Sequence, residues 1–198
     1  MMITGIILAG GKSRRMGRDK GLMELGGRKI VERIIDALIP SVSEILIITD
    51  RTDDYSFLNH PILEDLHKGK GPLAGIYTGL LNSRTDGNFI AGCDYPLLEP
   101  DFVRRVIEIF EHSLSSEGFE ILIPEVDGKI HPLCSIYRRR CLASIKDNLQ
   151  RGDLRVQSLC RKAKTHFIKG SELAGLDIER NLFNLNRPEE LAKLMELL

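Results

Sequence analysis

The chain has 198 residues, of which 42% are hydrophobic and 28% are charged, a balance typical of a soluble globular protein with room for one ordinary domain. Its 28 basic and 28 acidic side chains give a formal net charge of zero, which argues against a nucleic-acid-binding protein that works through bulk electrostatic attraction. No apolar run approaches the roughly 18 residues that cross a bilayer. We therefore expect a single domain over residues 1–198, with neither nucleic acid nor membrane as a partner.

The first apolar run, Ile3–Leu8, lacks the basic segment of a signal peptide and continues into glycines, which predicts a buried strand. The four cysteines have neither CxxC spacing nor a paired histidine pattern, so a zinc site is not expected. They are Cys93, Cys134, Cys141 and Cys160. Free, mostly buried thiols are the simplest interpretation, and they are consistent with a cytoplasmic protein.

Strands and helices alternate through the first half of the sequence. Further strands are predicted over Glu44–Thr49, Pro61–Glu64 and Asn88–Gly92, and helices over Lys29–Ile39, Leu73–Leu81 and Pro100–His112. This order predicts an α/β fold with a mainly parallel, doubly wound sheet.

The pattern loosens after Gly118. Two strands, Glu120–Pro124 and Ile130–Tyr137, flank the turn dipeptide Asp127-Gly128 and predict a hairpin. Helices over Arg139–Gln150 and Leu154–Lys162, a strand over Thr165–Ile168 and a C-terminal helix opened by Pro188 complete the prediction.

A glycine-rich basic loop follows the first strand. Residues 8–20 contain three glycines and five basic side chains. Glycines let backbone N–H groups approach an anion, and arginine and lysine add charge-assisted contacts to phosphate oxygens. Because ligands bind at the carboxyl ends of strands in open α/β sheets, this placement indicates a polyphosphate site. The simpler alternative is a solvated basic surface loop.

Two common nucleotide motifs are excluded by spacing. A P-loop has four residues between its glycines and then Lys-Ser/Thr, whereas five residues separate Gly11 from Gly17 and Arg18-Asp19 follows. The dinucleotide fingerprint G-x-G-x-x-G is also absent.

The same loop resembles the signature of the molybdenum cofactor guanylyltransferase family, within the nucleotidyltransferases. The matching residues are Leu8-Ala9-Gly10-Gly11, Ser13, Arg15-Met16-Gly17 and Asp19-Lys20. Further blocks follow in the family's order: Gly71–Gly75, Cys93–Pro96, His131–Leu133 and Asn184–Leu191. The resemblance spans nearly the whole chain and implies a Rossmann-like, three-layer α/β/α fold. It also implies nucleotide contacts from Leu8, Ala9, Gly10, Gly11 and Lys20.

Asp94 follows the strand Asn88–Gly92, where a lone carboxylate can hold Mg²⁺ against phosphate oxygens. From position alone, a turn or helix-capping role is an equal alternative. The resemblance favours the metal and nucleotide role, and it implies a nucleotide contact for Asp65. Where the family commonly has asparagine after its second strand, this chain departs from the pattern with Thr49-Asp50-Arg51.

The loop at Gly71, Pro72 and Leu73 is expected to shape the base pocket, because a helix start offers backbone groups that can read a purine edge. A proline-started helix is the plainer interpretation, and both can hold.

Three residues are candidates for the second substrate. Asn184 and Asn186 lie two apart and share a face if extended, although Asn186 could simply cap the last helix. A lone histidine is more often structural, which is the first interpretation of His131. The resemblance implies that all three lie on the acceptor side. At the position of the family's usual threonine this chain has Arg187.

The resemblance implies transfer of GMP from GTP to Mo-molybdopterin, with release of pyrophosphate. Arg15, Lys20 and Asp94 would be catalytic, Asp94 would bind Mg²⁺, and cofactor-biosynthesis proteins or target molybdoenzymes would be protein partners. The alternatives are a related cytidylyltransferase, a sugar-phosphate nucleotidyltransferase, and a non-catalytic nucleotide-binding protein.

Overall fold

A computed structural model describes residues 1–10, 19–114 and 118–197. Ten strands are present in this part of the chain: β1 (Ile3–Leu8), β2 (Glu24–Leu25), β3 (Arg28–Lys29), β4 (Glu44–Thr49), β5 (Ile62–Glu64), β6 (Gly87–Gly92), β7 (Ile121–Val126), β8 (Lys129–Ile130), β9 (Cys134–Arg138) and β10 (Thr165–Lys169). The α-helices of the described ranges are α1 (Ile30–Leu38), α2 (Pro72–Asn82), α3 (Pro100–Ser113), α4 (Leu142–Gln150), α5 (Val156–Lys162), α6 (Ile178–Asn181) and α7 (Glu190–Glu196).

The central sheet has the strand order β10-β7-β9-β6-β1-β4-β5, with β8 paired to β7. The pairs β1–β4, β1–β6, β4–β5 and β7–β10 are parallel, and β9 runs antiparallel to both of its neighbours. Strand β1 pairs with β4 on one side, where the sheet continues to β5, and with β6 on the other side. The strand order therefore reverses at β1, and such a reversal is the topological switch point where α/β proteins bind ligands.

Helices cover both faces of the sheet. Successive residues of β1 alternate between the two layers, since Ile7 packs into the core with α1 and α3 while Ile6 packs into the core with α2, α4 and α5. The predicted three-layer α/β/α fold with a mostly parallel sheet is confirmed. None of the helices in the described residues is long and apolar enough to cross a membrane.

Most predicted elements are found within two residues of their expected ends, but the hairpin prediction was wrong in its second strand. The turn at Asp127-Gly128 forms, with φ of 49° and 71°, and joins β7 to the two-residue strand β8. Pro132 cannot donate a ladder hydrogen bond, and the chain leaves β7 there and returns as β9 between β7 and β6.

The C-terminal helix also begins later than expected. It starts at Glu190, after Glu189 as its capping residue, rather than at Pro188. The side chain of Asn186 therefore does not cap this helix.

Candidate active site

A cavity of about 790 Å³ opens at the carboxyl ends of β1, β4 and β6. It is lined by residues from seven parts of the chain: Leu8, Ala9, Gly10, Asp19, Lys20, Ile48, Thr49, Asp50, Asp65, Gly69, Gly71, Pro72, Gly75, Gly92, Cys93, Asp94, Leu133 and Asn186. Nine of the residues predicted for the site are therefore brought to one cavity, from positions as far apart as Leu8 and Asn186.

The end of β1 presents its backbone to this cavity. Gly10 has a φ of +92°, and a Cβ atom there would lie 2.7 Å from the Thr49 hydroxyl oxygen. Both facts require glycine, because an L side chain is strained at this φ and has no space beside β4. Two residues expected to continue this site, Gly11 and Arg15, lie outside the described residues.

Lys20 reaches the cavity from a 3-10 turn, Lys20–Leu22, that is capped by Asp19. The Asp19 carboxylate accepts hydrogen bonds from the Gly21 N–H at 3.0 Å and from the Tyr55 hydroxyl at 2.8 Å. Burial raises the pKa of Tyr55 well above its ordinary value, so this hydroxyl keeps its proton and remains a donor. The turn that carries Lys20 is thereby anchored to a buried tyrosine.

Asp94 lies two residues beyond β6, opposite Gly10. The Cys93 N–H donates to the Leu8 carbonyl at 3.3 Å, which ties this strand end to that of β1. The Asp94 Oδ2 atom accepts a 2.7 Å hydrogen bond from Asn184, whereas Oδ1 is buried and has no hydrogen-bond partner among the described residues. Burial raises the pKa of Asp94, and the Asn184 hydrogen bond and the charge of Lys20 oppose that shift.

Four predicted site residues form one connected chain of hydrogen bonds. The Lys20 ammonium donates to Asn186 Oδ1 at 3.2 Å, the Asn186 amide donates to Asn184 Oδ1, and the Asn184 amide donates to Asp94 Oδ2. The chain joins the cation after β1 to the carboxylate after β6. Its middle members come from a segment 90 or more residues further along the sequence.

The opposite wall is formed by the β5 end and the start of α2. Asp65 Oδ1 accepts from the Thr78 hydroxyl at 2.9 Å and from the His67 N–H at 3.0 Å. Gly71, with φ of +76°, turns the chain into α2, and Pro72 stands at its first position. Leu73 is fully buried in the core beneath α2 and does not line the cavity.

A second, smaller cavity of about 390 Å³ adjoins the first. It shares Pro72, Asp94, Leu133 and Asn186 with the first cavity and extends to Asn184 and Arg155. The two cavities meet at Asp94, so a group in one can approach a group in the other there.

His131 lines neither cavity. Its Nδ1 lies 3.3 Å from the hydroxyl of Tyr95, the neighbour of Asp94, and the two rings pack edge to face. Burial, and then the charge of Lys129, lower the pKa of His131 and keep its ring neutral. This placement supports a structural role, and acceptor binding by His131 stays a prediction.

Sequence reasoning gave no role to Asp19, Tyr55 or Arg155. Asp19 precedes Lys20 in the loop block, which is a local signal that was available. The contact between Asp19 and Tyr55 spans 36 residues, and no pattern in the sequence connects them.

The residues around Asp94 fit a divalent cation that is shared with a ligand. Within the described ranges, no group of three or more His, Cys, Asp or Glu could hold a metal by itself. A single carboxylate is nevertheless what Mg²⁺ uses when substrate phosphates and water complete its coordination. The buried, unpartnered Oδ1 atom of Asp94 offers that ligand.

Comparison with known proteins identifies the family. The model of the MobA-like NTP transferase domain matches residues 5–166. A probable molybdenum cofactor guanylyltransferase from Carboxydothermus hydrogenoformans is 35% identical over 196 residues, 98% of this chain and 96% of that protein. The chain belongs to the molybdenum cofactor guanylyltransferase family. It is a nucleotidyltransferase, and the guanylyltransferase function expected from the sequence is confirmed.

A second curated relative agrees with this assignment, and a solved structure shares the fold. A molybdenum cofactor guanylyltransferase from Desulfosudis oleivorans is 32% identical over 96% of this chain and 93% of its own length. The crystal structure of molybdopterin-guanine dinucleotide biosynthesis protein A from Archaeoglobus fulgidus superposes with a TM-score of 0.80 at 24% identity, covering 98% of this chain and 97% of that one. The structural likeness supports the fold.

Proposed function

We propose that this chain transfers GMP from GTP to Mo-molybdopterin, with the triphosphate in the larger cavity and the acceptor phosphate entering from the smaller one. The observation that carries the proposal is the hydrogen-bonded chain Lys20–Asn186–Asn184–Asp94 along the junction of the two cavities. A cation, two amides and a carboxylate there suit a reaction in which two phosphate groups meet.

The triphosphate is assigned to the side formed by β1. The backbone N–H groups near Gly10 and the ammonium of Lys20 bind its phosphate oxygens, and the loop at Gly71 and Pro72 contacts the base. Asp65, whose Oδ1 is already held by Thr78 and His67, presents its other oxygen toward the α2 wall at Gly75. We assign this oxygen to the nucleoside.

The transfer forms one P–O bond and breaks another. An oxygen of the acceptor's terminal phosphate attacks the α-phosphorus of GTP in line, and the bond from that phosphorus to the α–β bridging oxygen breaks. The electron pair leaves with pyrophosphate. The attacking phosphate is already ionised at neutral pH, so no residue acts as general base, and positioning and charge neutralisation supply the catalysis.

Lys20 neutralises charge on the departing pyrophosphate, and Asn184 and Asn186 orient the acceptor next to Asp94. Asp94 would hold the divalent cation, which we assign as Mg²⁺ and which neutralises phosphate oxygens when bound. The catalytic role of Arg15 rests on the family resemblance alone.

Acceptor-dependent pyrophosphate release tests this function. Purified protein is mixed with Mg²⁺, Mo-molybdopterin and GTP, CTP or ATP in turn, and pyrophosphate and the dinucleotide product are quantified. We expect release with GTP only when the acceptor is present. Faster turnover of CTP would assign the protein to cytidylyl transfer, and nucleotide binding without turnover would indicate a non-catalytic protein.

A further inference from the structure

Glu99 and Asn181 form a reciprocal pair next to the active site, 82 residues apart in sequence. The Asn181 side-chain oxygen accepts a 2.8 Å hydrogen bond from the Glu99 backbone N–H, and its amide donates to Glu99 Oε2 at 3.3 Å. The same amide donates to the Asp177 carbonyl at 2.9 Å. Asn181 is 1% exposed, so its polar atoms are satisfied entirely by these contacts.

Each partner stands a few residues from a site residue. Glu99 ends the loop that carries Asp94 and is the N-cap residue of α3. Asn181 is the last residue of α6, three positions before Asn184. Between them, the Leu185 N–H donates to the Asp94 carbonyl at 2.8 Å. The pair therefore joins the segment that carries Asn184 and Asn186 to the loop that carries Asp94.

A second contact strengthens the junction on its outer side. The Arg180 guanidinium donates to Glu99 Oε1 at 2.9 Å, so both oxygens of the Glu99 carboxylate are bound by neighbouring residues of α6. A carboxylate that accepts two such bonds fixes the direction of α6 better than a single contact does.

The two sides of the site depend on this junction to different degrees. Asp94 is held by its own strand, through Cys93 N–H to the Leu8 carbonyl and Tyr95 N–H to the Gly92 carbonyl. Asn184 and Asn186 belong to a segment without strand pairing, beyond residue 166, where the match to the NTP transferase domain ends. Loosening the junction should move the two asparagines and leave the triphosphate side in place.

We infer that Glu99 and Asn181 are positioning residues for the acceptor, which set where Asn184 and Asn186 stand relative to Asp94. This inference rests on the proposed function. Leu182 and Leu185 are buried in the core on both sides of Asn184, so we expect removal of the pair to shift the segment without unfolding it.

The test compares Asn181→Ala and Glu99→Ala with Glu179→Ala. Glu179 lies on the same helix and ion-pairs with Lys193 on the surface, so its removal is a matched control. We expect kcat/KM for Mo-molybdopterin to fall about 10- to 100-fold in both variants, the loss typical of a displacement near 1 Å, while the Kd for GTP changes less than about twofold. The control should match the wild type in both quantities.

Two further variants separate positioning from general structural loss. Glu99→Gln keeps one carbonyl oxygen for Asn181 but loses the acceptor for Arg180, so its kcat/KM should lie between those of the wild type and Glu99→Ala. The Asn181→Ala/Glu99→Ala double variant should be no worse than the more impaired single variant, since both changes remove the same junction.

Three results would overturn the inference: wild-type acceptor kcat/KM in both alanine variants, equal losses in GTP affinity and acceptor kcat/KM, or additive losses in the double variant. Circular dichroism identifies any variant that fails to fold, and Glu99→Gln then decides the question. Failure of the proposed function itself looks different, because the wild-type protein would then release no pyrophosphate with GTP and Mo-molybdopterin.

Discussion

Replacement of Asp94 by asparagine should stabilise the ligand-free protein while abolishing its activity. The Asp94 carboxylate has one buried oxygen without a partner among the described residues and one hydrogen bond, from Asn184. The effective cost of a buried charge that is not fully paired is several kcal/mol. Asparagine has nearly the same shape and removes the charge.

The magnitude follows from three opposing effects. Removing the charge recovers several kcal/mol, an unsatisfied amide in its place costs about 1–3 kcal/mol, and the weaker hydrogen bond from Asn184 costs about 1 kcal/mol. We therefore expect Asp94→Asn to raise the free energy of unfolding by about 1–2 kcal/mol at pH 8, with Tm rising by about 2–4 °C per kcal/mol.

The difference should depend on pH in a defined direction. Burial raises the pKa of Asp94 in the folded state, so its carboxyl is protonated in both states below the ordinary pKa of about 3.9. Stability is then lost as the pH rises through the folded-state pKa. The advantage of Asp94→Asn should thus be absent near pH 4 and complete at alkaline pH.

Urea unfolding followed by circular dichroism, in EDTA at several pH values, measures this difference. Asp147→Asn is the matched control, because Asp147 is exposed on α4 and pairs only with Arg151 in the described contacts. Equal stability of Asp94→Asn and the wild type at pH 8, or an advantage that grows toward acid pH, would refute the reasoning. Pyrophosphate release by Asp94→Asn should fall at least about 10²-fold.

Three other substitutions test the triphosphate side. Lys20→Ala should lower kcat/KM for GTP about 10²- to 10³-fold, because the charge on the phosphates is no longer neutralised. The control Lys146→Ala changes an exposed lysine and should have no effect. A loss under fivefold in Lys20→Ala would contradict the role of Lys20. Gly10→Ala should lower the free energy of unfolding in urea by about 1–2 kcal/mol and weaken GTP binding at least tenfold in titrations, because φ there is +92° and the threonine at the end of β4 blocks the Cβ. The control Gly170→Ala, which has open space around it, should change neither quantity. Wild-type GTP binding by Gly10→Ala would exclude close contact between this backbone and the nucleotide. Tyr55→Phe should destabilise the protein by about 1 kcal/mol and raise the KM for GTP, because the Tyr55 hydroxyl anchors the turn that carries Lys20. An unchanged KM would show that this anchor does not position Lys20 for GTP.

The fold and much of the nucleotide side could be predicted from local patterns. The apolar runs that end at Leu8 and Gly92 are parallel strands, and parallel neighbours bring their carboxyl ends together, so Gly10 and Asp94 were expected to meet. The insertion of β9 between β6 and β7 was not predictable in this way, because strand order depends on long-range packing that leaves no periodic signal.

The acceptor side depended more on resemblance than on pattern. The two-residue spacing of Asn184 and Asn186 suggested a shared face, but their bonds to Asp94 and Lys20 cross 90 and 166 residues of sequence. The same limit applies to the Glu99–Asn181 pair. Leu73 was expected to contact the nucleotide, but its side chain is fully buried in the core beneath α2.

The most direct test of the central claim is a crystal structure with Mn²⁺ and a non-hydrolysable GTP analogue, with Mn²⁺ located by anomalous scattering. We predict an anomalous peak in contact with the Asp94 carboxylate and a triphosphate against the backbone at Gly10, both inside the larger cavity. A nucleotide bound outside that cavity, or a metal ion that does not touch Asp94, would contradict the account.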